Sequence, residues 1–133
     1  MTAYTLTAAV GRPFAETLDA VRAALGEEGF GVLTEIDLAS TLREKVGADL
    51  PPQVILGACR PQLAHQAVLA DPSVAALLPC NVVVRSTGDD RCVVEAFDPA
   101  AMVSLGSADV PEALREVADD ARARLTDALA RLG

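Results

Sequence analysis

The chain has no tryptophan, one tyrosine and three phenylalanines, so aromatic residues make up only 3% of its 133 positions. A protein that stacks bases or sugar rings on aromatic faces needs more rings than this. Basic residues are also scarce, with 11 Lys and Arg against 19 Asp and Glu, a net charge of −8. Neutralising phosphates takes clustered cations, so nucleic acid is not an expected partner, and neither is an anionic membrane surface. Although 51% of the residues are hydrophobic, no apolar run approaches the roughly 18 residues of a membrane span. The opening MTAYTLTAAVGRPF lacks a basic stretch followed by an apolar core, so no secretion signal is expected. The three cysteines form no CxxC pair, which points to reduced thiols and a cytoplasmic protein. Glycine-rich phosphate loops, nucleophile-elbow serines and dinucleotide fingerprints are missing as well.

What is present suits one domain with an aliphatic core. That core is expected from Val, Leu, Ile and Ala, with Phe14, Phe30 and Phe97 as its few large pieces. Residues 4–10 alternate Thr5, Thr7 and Ala9 against Leu6, Ala8 and Val10, the pattern of a strand with one wet face. Phe14, Leu18, Val21 and Leu25 then recur at helical spacing, and Gly29 supplies a stop. Residues 30–37 (FGVLTEID) read as a second strand, followed by a short helix with Leu38, Leu42 and Val46 inward and Gly47 at its end. After Pro51 and Pro52, residues 54–59 (VILGAC) are strand-like, Pro61 opens a helix to about Ala70, and DPSVAALLP is a turn with a short helical piece. Two β-branched runs, 80–86 and 91–97, flank Thr87-Gly88-Asp89-Asp90, a hairpin signal. Asp109 and Glu112 read as a capping pair for a final helix. On that helix Leu114, Val117, Ala118, Ala121, Leu125, Ala128, Leu129 and Leu132 form one apolar stripe. The order β-α-β-(α)-β-α-β-β-α predicts an α+β fold: an antiparallel sheet of about five strands, helices on one face, and a long amphipathic helix to close it.

Four segments, FGVLTEID (30–37), ILGACRP (55–61), LPCNVVV (78–84) and FDP (97–99), together resemble the bacterial and archaeal domain-of-unknown-function family numbered 302. Arg60 departs from that pattern, which more often has asparagine there. The resemblance implies a single copy of a fold similar to that of the TATA-box-binding protein, usually dimeric. It implies no activity, and a fold by itself does not carry DNA binding.

If strands two to five form a meander, the end of strand three (Cys59), the start of strand four (Cys80) and the end of strand five (Asp98) share one edge. A hairpin pairing Arg85 with Cys92 sets Cys80 opposite Phe97 and leaves Cys92 at the far end. Cys59 also precedes a helix start, where free N–H groups and the macrodipole favour a thiolate. His65 and Asn81 are within reach of the same edge. Three readings of Cys59 and Cys80 stay open: core packing, a reactive thiol pair, or part of a ligand or metal site. Zinc is the weakest of these, since Cys59, Cys80 and His65 give three ligands where a structural site closes with four. No metal or other cofactor is expected. Glu35 and Asp37 project from one face of a strand, with Lys45 as a possible counter-charge, but Asp37 is better read as the cap of the following helix. The preferred reading is a homodimeric cytoplasmic module that binds a small ligand or regulates, with candidate ligand-binding residues Cys59, Cys80, Asn81, Asp98 and His65. The alternatives are a thiol redox or sulfur-handling enzyme using Cys59 and Cys80, and a purely structural dimer.

Overall fold

The computed structural model describes residues 4–105 and 110–133. Five strands, β1 (Thr5–Val10), β2 (Gly31–Asp37), β3 (Gln53–Cys59), β4 (Cys80–Gly88) and β5 (Arg91–Phe97), form one sheet in the order β1-β5-β4-β3-β2. Every pairing is antiparallel, so β2 to β5 are a meander and β1 returns to the far side of β5. The helices are α1 (Phe14–Glu27), α2 (Leu38–Val46), α3 (Pro61–Ala70), α4 (Pro99–Leu105) and α5 (Glu112–Ala130), with a 3-10 turn at Pro72–Leu77. Sequence periodicity does not reveal α4, whose seven residues span too few turns to show a stripe.

Alternation along the strands sorts the two faces. Val54, Leu56 and Ala58 of β3, Val82 and Val84 of β4, and Val94 and Ala96 of β5 are buried beneath Val21, Ala24 and Leu25 of α1 and Leu125, Ala128 and Leu132 of α5. A second cluster lies beside the first, where Leu63 and Ala67 of α3, Met102 of α4 and Leu114, Val117 and Ala121 of α5 pack together. The apolar stripe of α5 therefore crosses both clusters. The opposite face carries Thr7 and Ala9, both exposed, with Val83, Val93 and an Arg85–Glu95 ion pair at 3.0 Å.

Helix ends follow from local chemistry. Asp37 Oδ1 accepts the Ser40 N–H at 2.9 Å and caps α2. Gly47, at φ 69°, ends that helix with the Ala48 N–H bonded to the Leu42 carbonyl, and only glycine adopts this geometry without strain. Pro111 sits at the N-cap of α5 without a side-chain cap; the expected capping residue Asp109 lies outside the described residues.

Three expectations need correction. Val46 is 72% exposed, and α2 instead buries Ala39, because Val46 is the last residue before the chain turns away at Gly47. Of the three phenylalanines only Phe30 is fully in the core, while Phe14 and Phe97 are half-buried; the interior is filled by Leu and Val. The hairpin register is one residue off: Arg85 faces Val93, and Cys92 faces Ser86. The cause is a bulge between Ser86 and Gly88, which lets β4 run to Gly88 and shortens the turn to Asp89-Asp90, with Asp90 at φ 56°.

Candidate functional site

The β3–α3 junction supplies the chemistry. In β3, Gly57 leaves room for the Thr34 side chain of its partner strand β2 and for Pro79. A Cβ there would run into Thr34 Oγ1 and come within 2.8 Å of Pro79 Cγ. Thr34 reaches that position because β2 is bulged between Val32 and Thr34. Glycine in ILGACRP is thus a packing requirement. The next pairs, Ala58 with Cys80 and Cys59 with Gly31, end the strand. Arg60 then leads into α3, with Pro61 at its first position, where a missing N–H costs nothing.

This junction, α3, α5 and α4 line a narrow cleft of about 30 Å³ that is partly open to solvent. Its walls are almost wholly apolar, with Leu63 and Ala67 on one side and Met102, Val117 and Ala121 on the other. Cys59, Arg60 and Cys80 border it at the junction. The cleft thus forms where the two hydrophobic clusters meet.

The two sulfurs differ in environment. Cys59 is half-buried and Cys80 is buried. Burial, and secondarily the nearby Cys59 thiol, push the Cys80 thiol from 9.0 up to about 11. Cys80 is therefore a protonated thiol at neutral pH. Cys92 is separate from both. It is buried at the far end of the hairpin, and its thiol donates to the Arg12 carbonyl at 3.5 Å. The same carbonyl accepts the hydroxyl of Thr17, a fully buried polar residue that helical spacing places on the apolar face of α1 with Phe14 and Val21.

The sequence marks Arg60 only as a departure from a family pattern, and the structure gives it a setting. Its stem crosses Gly29, where a Cβ would stand 3.1 Å from Arg60 Nε. That Nε is buried and has no hydrogen-bond partner. Gly29 itself has φ 84°, so this position selects glycine twice, for backbone and for space.

The remaining candidates do not converge on the cleft. Asn81 is exposed on the uncovered sheet face, in a separate hollow with Tyr4, Gln53, Glu95 and Phe97. His65 points outward from α3 and is exposed. Asp98 lies just past β5, where it accepts the Ala100 N–H at 2.9 Å and pairs with Arg122 of α5 at 3.1 Å. It caps α4 and anchors that helix to α5. Glu35 pairs with Arg22 of α1, and Asp37 is committed to its cap, so the carboxylate pair is structural. Lys45 is exposed on the last turn of α2. Among the described residues no group of three or more His, Cys, Asp or Glu side chains is arranged to hold a metal ion, and no helix is long and apolar enough to cross a membrane.

A family model described as "Domain of unknown function DUF302" matches residues 6–132. Among solved structures the chain is similar to the crystal structure of an uncharacterized conserved protein DUF302 from Bacillus stearothermophilus. The two are 31% identical over 99% of this chain and 100% of that one, with a TM-score of 0.87. No curated protein matches the chain.

Proposed function

Because the chain belongs to the DUF302 family, whose description assigns no activity, we propose a function from the cleft itself: a homodimeric cytoplasmic module that binds a small molecule between α3 and α5. The observation that carries this is an apolar cleft bordered by Cys59, Arg60 and Cys80 at the β3–α3 junction. Pockets of this kind, mostly apolar with a few convergent polar groups, are the usual form of small-molecule sites. A family fold like that of the TATA-box-binding protein does not extend the proposal to DNA, since a net charge of −8 repels phosphate.

A second copy of the chain is the proposed partner. Supporting this, one sheet face has no helix over it among the described residues, and the edge strand β2 exposes Leu33 (65%) and Ile36 (47%). Sedimentation at tens of micromolar is expected to give twice the chain mass, and a monomer mass there removes this part of the proposal.

The thiol-enzyme reading draws on Cys59 and Cys80 sharing the cleft. Against it, the resolving thiol would be Cys80, which its raised pKa keeps protonated and slow to attack. Binding is therefore preferred over redox catalysis. Timed iodoacetamide labelling of the folded protein near neutral pH, read by peptide mapping, tests whether the cleft is accessible. Cys59 is expected to label well before Cys92. If Cys59 reacts only on unfolding, the cleft is closed and the binding reading fails.

A further inference from the structure

Resting on the homodimer reading, the side chains on the uncovered face of the sheet say where the second copy sits. An antiparallel sheet with one face in water ordinarily turns polar residues outward, as β1 does with Thr7. The next strands along the sheet do not. In β2, β3 and β4 the outward positions hold Ile36, Ile55 and Val83, set directly opposite one another across the three strands. Val93 of β5 stands in the next row, opposite Arg85. Ile36 is exposed and the other three are half-buried, with no helix over them among the described residues. Near-continuous apolar runs such as VILGAC and NVVV are the composition of strands with both faces out of water.

Charge decides what covers this face. The chain carries a net charge of −8, so two copies repel each other in most approaches. The acids of β2 are held on the helix side, where Glu35 lies opposite buried Leu56 and pairs with Arg22, and Asp37 caps α2. In the two central cross-strand rows of the uncovered face the charged residues are Arg85 and Glu95, one of each sign and 3.0 Å apart. The centre of the face is therefore neutral and self-complementary. We propose that two copies pack uncovered face to uncovered face, with Ile55 and Val83 at the centre and the helices outside. Across the twofold axis, Arg85 of each copy then faces Glu95 of the other. Contact of one patch with itself is the common way to close a dimer, and stacked sheets interdigitate their facing side chains. Burial of the aliphatic row supplies the attraction. Pairing through the edge strand β2 is a poorer route, since its bulge between Val32 and Thr34 interrupts the ladder that a second strand would join.

Sedimentation equilibrium of the full chain over a dilution series reads the dimer dissociation constant. Val83→Lys sets a charge without a partner at the centre of the contact and should raise that constant at least about a hundredfold. Arg85→Glu and Glu95→Arg each leave the central rows with two like charges. Each of these variants alone should sediment as a monomer, and mixing the two should restore a dimer of one copy of each. Denaturant melts establish that the variants fold, and the two charge variants carry the test by themselves if Val83→Lys does not. A wild-type dimer whose constant is unchanged in the folded variants, or charge variants that stay apart when mixed, overturns the face assignment and leaves the homodimer reading to another surface. A wild-type monomer removes both.

Discussion

Along α5, Leu125, Ala128 and Leu132 close over the sheet, whereas Leu114, Val117 and Ala121 meet Leu63, Ala67 and Met102 from two shorter helices. The first interior is helix against pleat. Strand alternation presents a continuous floor of Val54, Leu56, Val82, Val84 and Val94, and branched side chains cover it, leaving about 10 Å³ between α1, α5 and the sheet against about 30 Å³ in the cleft. The second interior is helix against helix ends beyond the strands, with a flexible methionine as filler, and a cleft remains beside it. One helix thus serves as a lid for a packed core and as a wall for an opening. The lesson is that packed core and cleft are divided along α5, with the boundary near Ala121.

The largest effect should come from the packed half. Leu125 is 1% exposed, and Leu125→Ala is expected to cost about 2–5 kcal/mol in urea melts. A loss below about 0.5 kcal/mol would erase the contrast. Next is the alkaline limb of stability, which reads the cleft boundary. The folded pKa of Cys80 is raised, so its contribution is fully present below pH 9.0 and is lost as pH rises toward about 11. The loss should reach about 3 kcal/mol, and Cys80→Ser should flatten it. An unchanged slope in the variant would mean that Cys80 is not the group responsible.

Gly57→Ala should cost about 1–3 kcal/mol by overpacking, with part restored in a Thr34→Ala background because Thr34 is the residue in the way. No restoration would place the strain elsewhere. The smallest effect sharpens the comparison most directly. Val84→Ile, in the sheet-backed half, should cost about 1–3 kcal/mol, while Ala67→Val, which grows into the cleft, should stay within about 1 kcal/mol of wild type. Equal costs would mean that the two halves are packed alike.

Much of this layout is legible in the sequence, for identifiable reasons. Two-residue alternation in VILGAC and NVVV, and the long stripe from Leu114 to Leu132, are strong periodic signals that tertiary packing reinforces. Cys59 and Cys80 share a cleft because a meander brings the end of one strand beside the start of the next, which element order alone predicts. Register was not legible, because the bulge at Ser86–Gly88 inserts a residue that turn chemistry does not announce. Asp98 and Asn81 were grouped with the cysteines by position along the strands, but the pleat sends Asn81 to the other face, and Arg122, distant in sequence, engages Asp98. The setting of Arg60 was hidden for a similar reason. It depends on Gly29, which lies in a different turn and shows only as a helix stop.

The return of β1 to β5 has a consequence for how the chain reaches this state. Every other strand pair joins sequence neighbours, but Thr5 faces Phe97 and Val10 faces Cys92. During synthesis from the N-terminus, the first strand emerges long before its partner, and Leu6 and Val10 wait without a sheet to cover them. The entropy of closing so long a loop grows only logarithmically, so the finished fold is little weakened, but formation of that contact is slowed. Moving the first strand to follow the last helix, by circular permutation, would change the order of assembly while leaving the native sheet the same.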